Sequence, residues 1–181
     1  FWRVYHSHFG TSPTEGLYLN STVISAVHDE HGGIASVTPT TFGFGTDGTN
    51  TLTGVNKSGD TYIAYCWTEI EGYSKFGSYV GNGSADGPFV YCGFKPAFLM
   101  IKLVTGSQRD WHIYDSSRNP TNPVGLNLRP SSASTDTDEP GIDFLSNGFK
   151  IRSNYVFSNE SGQTIIFMAF AESPFQTANA K

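Results

Sequence analysis

The side chains best suited to chemistry are histidines with carboxylates close by. His6 and His8 alternate along the chain, so both would face the same side of a β-strand. The stretch His28–His31 places two more histidines around an adjacent pair of acids, and imidazole with carboxylate suits a divalent transition metal. In the second half of the chain, His112 is the only histidine and repeats neither pattern. We therefore predict surface or interface histidines, with no metal and no cofactor.

Two further groups of residues could be interpreted as hydrolytic. Asp115–Arg118 places hydroxyl groups beside a carboxylate, but a nucleophile also needs a base held within hydrogen-bond reach, and no G-x-S-x-G turn occurs. Glu69 and Glu172 each close an apolar stretch. A glycosidase needs two carboxylates about 5–9 Å apart, whereas these two occupy equivalent positions in separate halves of the chain. We predict that both glutamates cap or pair at strand ends, and that the protein is not an enzyme.

The composition favours an ordered β protein. Of the 181 residues, 14% are aromatic, 15% are charged and 20 are glycine, with a formal net charge of −5. Disordered chains are rich in charge and poor in aromatics, so disorder is excluded. No run of Lys or Arg offers a basic patch, and no apolar stretch approaches the roughly 20 residues that span a bilayer. We therefore predict no nucleic-acid partner and no membrane insertion.

The two cysteines lie in apolar, aromatic surroundings. Cys66 stands between tyrosine and tryptophan, and Cys92 stands between tyrosine and glycine, without the spacing of a zinc site. This context favours two buried free thiols, while a disulfide between them stays open.

The second half of the chain repeats motifs of the first half. Trp2–Ser7 matches Trp111–Ser116 at a shift of about 109 residues. Asn56–Glu69 matches Asn159–Glu172 at a shift of about 103 residues, which leaves a single drift of about six residues in a loop. Matches that keep one order along the chain indicate a tandem duplication.

Each repeated piece predicts a local structure. The tryptophan motif alternates apolar and polar residues, as a half-buried strand does, and the Gly of the Asn-x-Ser-Gly turn can adopt a positive φ. Tyr62–Trp67 and Ile165–Phe170 are apolar on both faces, which predicts a central strand covered on both sides. Because Trp2 and Trp111 recur, we predict that both pack in a core. The predicted fold class is all-β, with two repeated antiparallel β-sandwich modules of jelly-roll-like type.

The repeat also predicts a domain organisation. Residues 1–72 form a first β-sandwich repeat, residues 73–88 a Gly-rich aromatic connector with an added strand near Ser78, and residues 89–181 a second repeat. The loop Asn119–Pro140 is rich in Pro, Ser, Thr and Asp, which predicts a mobile or partner-contacting segment.

The second repeat begins with two strand-like runs, Phe89–Phe94 and Phe98–Leu103, that have no counterpart before Trp2. The first repeat is therefore predicted to be truncated at its N-terminus. Because folded proteins avoid open sheet edges, we expect an upstream segment or a neighbouring copy to contact residues 1–9.

Several longer motifs belong together. Trp111–Asp115, Asp143–Lys150 and Met168–Glu172 carry Trp-x-Ile-Tyr-Asp, Asp-Phe-Leu-Ser-Asn-Gly-Phe-Lys and Met-Ala-Phe-Ala-Glu. With Gly72–Tyr79 and Phe94–Phe98, they resemble the C-terminal regions of virion proteins of tailed bacteriophages, mostly marine ones. The resemblance covers nearly the whole chain. It implies a domain of a large phage structural protein, with no catalytic residues to carry over.

The resemblance implies a location in the virion, on the tail, a fibre or the capsid surface, where the domain could serve host adsorption. The implied partners are other virion proteins and other copies of the chain, with a trimer favoured by analogy with phage fibres. The alternative function is a carbohydrate-binding module for host surface polysaccharide. Candidate contact residues are the aromatics that do not recur between repeats: Tyr73, Phe76, Tyr79 and Tyr155.

Overall fold

The chain folds mainly as antiparallel β-structure. The computed structural model describes residues 2–11, 15–24, 26–27, 33–45, 55, 57 and 59–173. Within these ranges the helices are a 3₁₀ turn at Ser7–Phe9 and the single turn α1 (Val156–Asn159). The predicted all-β class is thus confirmed. Neither of these helices is long and apolar enough to span a membrane.

The first repeat contributes two small sheets. Their strands are β1 (Arg3–Val4), β2 (Glu15–Tyr18), β3 (Ala26–Val27), β4 (Ile34–Val37) and β5 (Phe42–Phe44). One sheet has the order β1-β2-β3 and the other is the hairpin β4-β5.

The second half of the chain forms one eight-stranded antiparallel sheet that curls into a nearly closed barrel. Its strands are β6 (Ser74–Val80), β7 (Phe89–Tyr91), β8 (Pro96–Leu103), β9 (His112–Asp115), β10 (Val124–Leu128), β11 (Thr137–Leu145), β12 (Gly148–Ile151) and β13 (Thr164–Ala171). Their spatial order is β6-β13-β8-β9-β10-β11-β12-β7.

Several strands of the barrel were predicted from the sequence. Both predicted lead-in strands exist as β7 and β8, and the strand predicted near Ser78 exists as the longer β6. The segment Asn119–Pro140 is not a single loop, because it contains β10 and the first residues of β11.

The barrel interior is filled by alternate side chains of its strands. Strand β13 is central: Ile165, Phe167 and Ala169 point inward and are buried. Phe149 packs edge-on against Phe167 and Tyr79, with ring centroids 5.3 and 5.9 Å apart. Burial of each large apolar side chain contributes about 1.5–3 kcal/mol, so this core is the main source of the barrel's stability.

Asn159 fastens the turn before β13 to the loop that joins β6 and β7. It is fully buried, its Oδ1 accepts from the Asn82 backbone N at 2.8 Å, and its Nδ2 donates to the Ser84 and Ser153 carbonyls at 2.7 and 2.8 Å. The turn that follows contains Gly162 with φ 73°, and the matching Gly59 of the first repeat has φ 88°. Both repeats therefore use the positive φ that the turn motif predicts.

The first repeat packs on the outer face of β8 and β13. Leu17 and Trp111 are buried in a second core with Ile166, and the Trp111 Nε1 donates to the Tyr18 carbonyl at 2.9 Å. The Lys102 Nζ lies 5.9 Å from the centroid of the Trp111 ring and donates to the carbonyls of Thr22 and Arg109. Burial lowers the pKa of Lys102 to about 8, although nearby Asp110 opposes this shift. The barrel itself thus covers part of the first repeat.

Two predictions for the first repeat are wrong. Trp2 is 53% exposed rather than in a core, whereas the matching Trp111 is 3% exposed. Residues 61–69 are exposed at every position and belong to no strand, whereas their counterpart is the central strand β13. The physical reason is that β13 lies between β6 and β8, which the described part of the first repeat does not supply.

The cysteines also differ from the prediction in one respect. Both are free, but Cys92 is buried and Cys66 is exposed. Burial raises the pKa of the Cys92 thiol to about 12, so this group is unreactive at neutral pH.

Candidate interaction surface

Residues 61–70, called here the open segment, belong to no helix or named strand and are exposed at every position, so their apolar side chains face solvent. The exposed fractions are 51% for Tyr62, 66% for Ile63, 60% for Tyr65 and 58% for Trp67. Contiguous apolar surface of this kind usually marks an interaction site in a folded protein. The open segment is therefore the strongest candidate for partner contact.

Both ends of the open segment are anchored by hydrogen bonds. At its start, the Lys57 backbone N donates to the Tyr62 hydroxyl at 3.1 Å. At its end, the Ser74 Oγ donates to the Thr68 carbonyl at 2.7 Å, and Glu69 accepts from the Phe76 backbone N at 3.2 Å. The segment is thus held at both ends, and its middle is accessible.

An aromatic row, defined here as Trp2, Tyr65 and Trp67, stands on one side of the open segment. The ring centroids of Trp2 and Tyr65 are 6.3 Å apart, and those of Tyr65 and Trp67 are 6.1 Å apart, with interplanar angles of 30° and 21°. This stacking places the rings of Tyr65 and Trp67 on the same side of the segment. The row offers three exposed, near-parallel rings to a partner or a sugar.

A second aromatic cluster lies where β6, β13 and β8 meet. Phe170 is its centre, with ring centroids 5.6 Å from Tyr73, 6.2 Å from Phe76 and 5.9 Å from Phe98. Tyr73 is exposed and Phe76 is half-buried. Two of the predicted contact residues, Tyr73 and Phe76, therefore lie in one surface cluster. Phe98 and Phe170 complete the cluster and were not predicted as contact residues.

The other two predicted contact residues have different environments. Tyr79 is a core residue whose hydroxyl donates to the Ser158 carbonyl at 2.8 Å, and burial raises its pKa well above the usual value. It presents no surface to a partner, so its selection as a contact residue is corrected. Tyr155 is exposed and stacks on Phe157 with a centroid distance of 5.3 Å.

The histidines near the N-terminus do not alternate on one strand. His6 is buried and caps the 3₁₀ turn, its Nδ1 accepting from the His8 backbone N at 3.1 Å, and its Nε2 lies 3.2 Å from the Phe167 carbonyl. Burial lowers the pKa of His6. His28–His31 lies outside the described residues. In the ranges described, no three His, Cys, Asp or Glu side chains are grouped to hold a metal ion.

His112 is a core residue rather than a surface one. Its ring stacks on Phe157 at a centroid distance of 3.9 Å, and its Nδ1 lies 3.0 Å from the Asn127 Oδ1. Burial lowers the pKa of His112 to about 4, so the ring is neutral near pH 7. The prediction of surface or interface histidines is therefore wrong for both His6 and His112.

The candidate carboxylates are engaged in ion pairs. Glu69 lies 2.9 Å from the Lys75 Nζ and Glu172 lies 3.0 Å from the Lys95 Nζ. Glu172 follows the end of β13, as predicted, whereas Glu69 follows no strand. Asp115 pairs with Arg118 at 2.6 Å. Each carboxylate thus has a structural partner.

The open segment was not predicted to be a surface, because its composition is that of a buried strand. One signal was available: from Thr61 to Thr68 the segment contains no charged residue and no proline, the residues that usually protect an exposed strand from pairing.

Comparison with known proteins gives the family. A family model described as a domain of unknown function (DUF7483) matches residues 1–174. The chain belongs to this family. No curated protein and no solved structure matches the chain.

Proposed function

We propose that this member of the DUF7483 family is a structural component of a bacteriophage virion. In this proposal two copies of one β-sandwich-like module, the second completed as a barrel, are presented on the tail, a fibre or the capsid surface. The supporting features are the motifs that resemble phage virion proteins and the exposed open segment. A surface of this kind serves contact between polypeptides rather than turnover of a substrate.

The charged residues of the described chain are consistent with a non-catalytic role. The carboxylates at Glu69, Glu172 and Asp115 are ion-paired. The buried histidines His6 and His112 are hydrogen-bonded within the fold. These contacts hold the five side chains within the fold, as structural roles require.

The test is to locate the chain on intact particles. Antibodies raised against the purified chain should label particles in electron micrographs at one repeated position, and peptides of the chain should be found in purified virions. Labelling confined to host debris, with no peptides in the particles, would overturn the proposal.

A second candidate function is carbohydrate binding, favoured by the aromatic row. Exposed aromatic rings provide the apolar faces on which sugar rings stack, and Trp2, Tyr65 and Trp67 present three of them together. Binding on an array of bacterial polysaccharides should be lost in Trp67→Ala and kept in Tyr91→Ala, a similarly exposed aromatic on β7. Release of reducing sugar during this assay would indicate an enzyme instead.

A further inference from the structure

We propose that the open segment pairs with the open segment of a second copy of this chain. The two segments would lie antiparallel, related by a two-fold axis that passes beside Tyr65. This inference deepens the proposed structural role, since it names the surface through which copies associate, and it favours a dimer over the trimer suggested by phage fibres.

The chain itself shows what a strand of this type requires. The matching strand β13 has paired neighbours on both sides, through seven of its residues to β6 and seven to β8. Residues 61–69 carry the same kind of sequence but belong to no strand. An exposed segment with a strand-like apolar sequence and no strand partner can pair with a strand of another chain.

The sequence of the open segment is self-complementary in the antiparallel direction. With Tyr65 opposite Tyr65, Ile63 lies opposite Trp67, and Ala64 lies opposite Cys66. Aromatic and β-branched pairs directly opposite one another are favourable across strands. Shifting the centre to Ala64 or Cys66 would leave Trp67 or Ile63 opposite a smaller or charged residue, so the Tyr65-centred register is favoured.

The charges of the segment also permit this pairing. No charged residue and no proline occurs from Thr61 to Thr68, so the usual protection of an edge strand is missing. In the Tyr65-centred register, Glu69 lies opposite Thr61 and Asp60 lies opposite Ile70. No like charges are opposed.

The available apolar area is adequate for a specific contact. Trp2, Tyr62, Tyr65 and Trp67 are each between 51% and 60% exposed. Since an aromatic side chain buries about 150–250 Å², these four can bury roughly 300–500 Å² per copy. Ile63 and Ile70 add to this, so the total for two copies approaches the roughly 1,000 Å² expected of a specific interface.

The first test is the mass of the purified chain in solution. Sedimentation equilibrium should give a dimer for the natural chain. Tyr65→Lys opposes two ammonium groups at the centre of the pairing and should raise the dissociation constant at least ~30-fold. Tyr91→Lys changes a comparably exposed tyrosine on β7 and should leave the dimer intact.

The second test uses Cys66 as a natural probe of the register. Residues directly opposite have Cβ atoms about 4.5–5.5 Å apart, near the reach of a disulfide, while diagonal neighbours are about 7–8 Å apart. Ala64→Cys should therefore form a disulfide-linked dimer under mild oxidation. The natural chain, with Cys66 alone, and the double variant Ala64→Cys/Cys66→Ser should not, and the buried Cys92 does not interfere.

Three outcomes would overturn the inference: a monomeric or trimeric natural chain, a dimer that survives Tyr65→Lys, or equal cross-linking in Ala64→Cys and the double variant. These results concern only the association surface. Labelling of intact particles tests the virion role separately, so the two proposals can fail independently.

Discussion

The two halves of this chain carry the same motifs in different environments. Trp111 is buried against the Tyr18 carbonyl, while Trp2 stands in an exposed aromatic row. Ile166 is buried on β13, while the matching Ile63 is exposed on the open segment. The difference follows from the neighbours: β8 and β6 flank β13, and the open segment belongs to no sheet. Burial is therefore a property of the assembled sheet and not of the motif alone.

The tryptophans should show the largest contrast. Trp111→Ala should lower the free energy of unfolding by about 3–5 kcal/mol, because it removes a buried ring and leaves the Tyr18 carbonyl without its indole donor. Trp2→Ala should change it by no more than about 0.5 kcal/mol in the monomer. Urea denaturation at low protein concentration measures both. Similar losses for the two variants would contradict the assignment of Trp2 to the surface.

The matched isoleucines give a second contrast of the same kind. Ile166→Ala should cost about 2–5 kcal/mol, because a buried side chain leaves a cavity between the first repeat and β13. Ile63→Ala should cost no more than about 0.5 kcal/mol when the chain is monomeric. A large loss for Ile63→Ala under monomeric conditions would mean that the open segment is packed in solution.

Local patterns predicted the barrel strands well and the environment of the first repeat poorly. The apolar runs in Phe98–Leu103 and Ile165–Phe170 predicted β8 and β13. These predictions are confirmed because each strand has its sheet partners within the chain. Tyr62–Trp67 has the same run, but the described structure places no strand beside it. A pattern specifies which residues can be buried, and the neighbouring strands decide which of them are.

The surface predictions divide on the same ground. Tyr73 and Phe76 lie in an outer cluster. Tyr79 shares strand β6 with Phe76 but points into the barrel. Tyr79 lies three residues after Phe76, so the two side chains point to opposite faces of β6. The Gly-rich sequence around Gly77 does not indicate which face is inside the barrel. The burial of His112 was not predicted either. Its stacking partner Phe157 is far away along the chain, so no local pattern indicates this contact.

Burial of His112 predicts that the stability of the barrel depends on pH. The matching residue in the first repeat is Arg3, which does not titrate in this range. Burial lowers the pKa of His112 to about 4 in the folded state, against 6.5 in the unfolded chain. Between these values the unfolded chain binds the extra proton, so stability is full above pH 6.5 and is lost as the pH falls towards 4. The loss should approach about 3 kcal/mol.

The control for this effect is His112→Gln, which keeps an amide able to donate to the Asn127 Oδ1 but does not titrate. Urea midpoints at pH 7 and pH 4.5 should differ clearly less in this variant than in the natural chain. His6, whose pKa burial also lowers, contributes a residual slope in the same direction. An unchanged difference in His112→Gln would assign the acid sensitivity to other groups.

The matched glutamates should show the smallest effect, and nearly the same one in both halves. Glu69 and Lys75 are about half-exposed, as are Glu172 and Lys95, and their charged atoms lie 2.9 and 3.0 Å apart. Exposed ion pairs of this type contribute about 0–1 kcal/mol and weaken with salt. Glu69→Gln and Glu172→Gln should therefore each lower the free energy of unfolding by less than about 1 kcal/mol in dilute buffer, and by less still in 1 M salt.

Glu69→Gln also keeps an oxygen that can accept from the Phe76 backbone N, so its loss of stability should not exceed that of Glu172→Gln. A much larger loss for Glu69→Gln would show that this ion pair holds the end of the open segment in place, and that the two halves differ there as well.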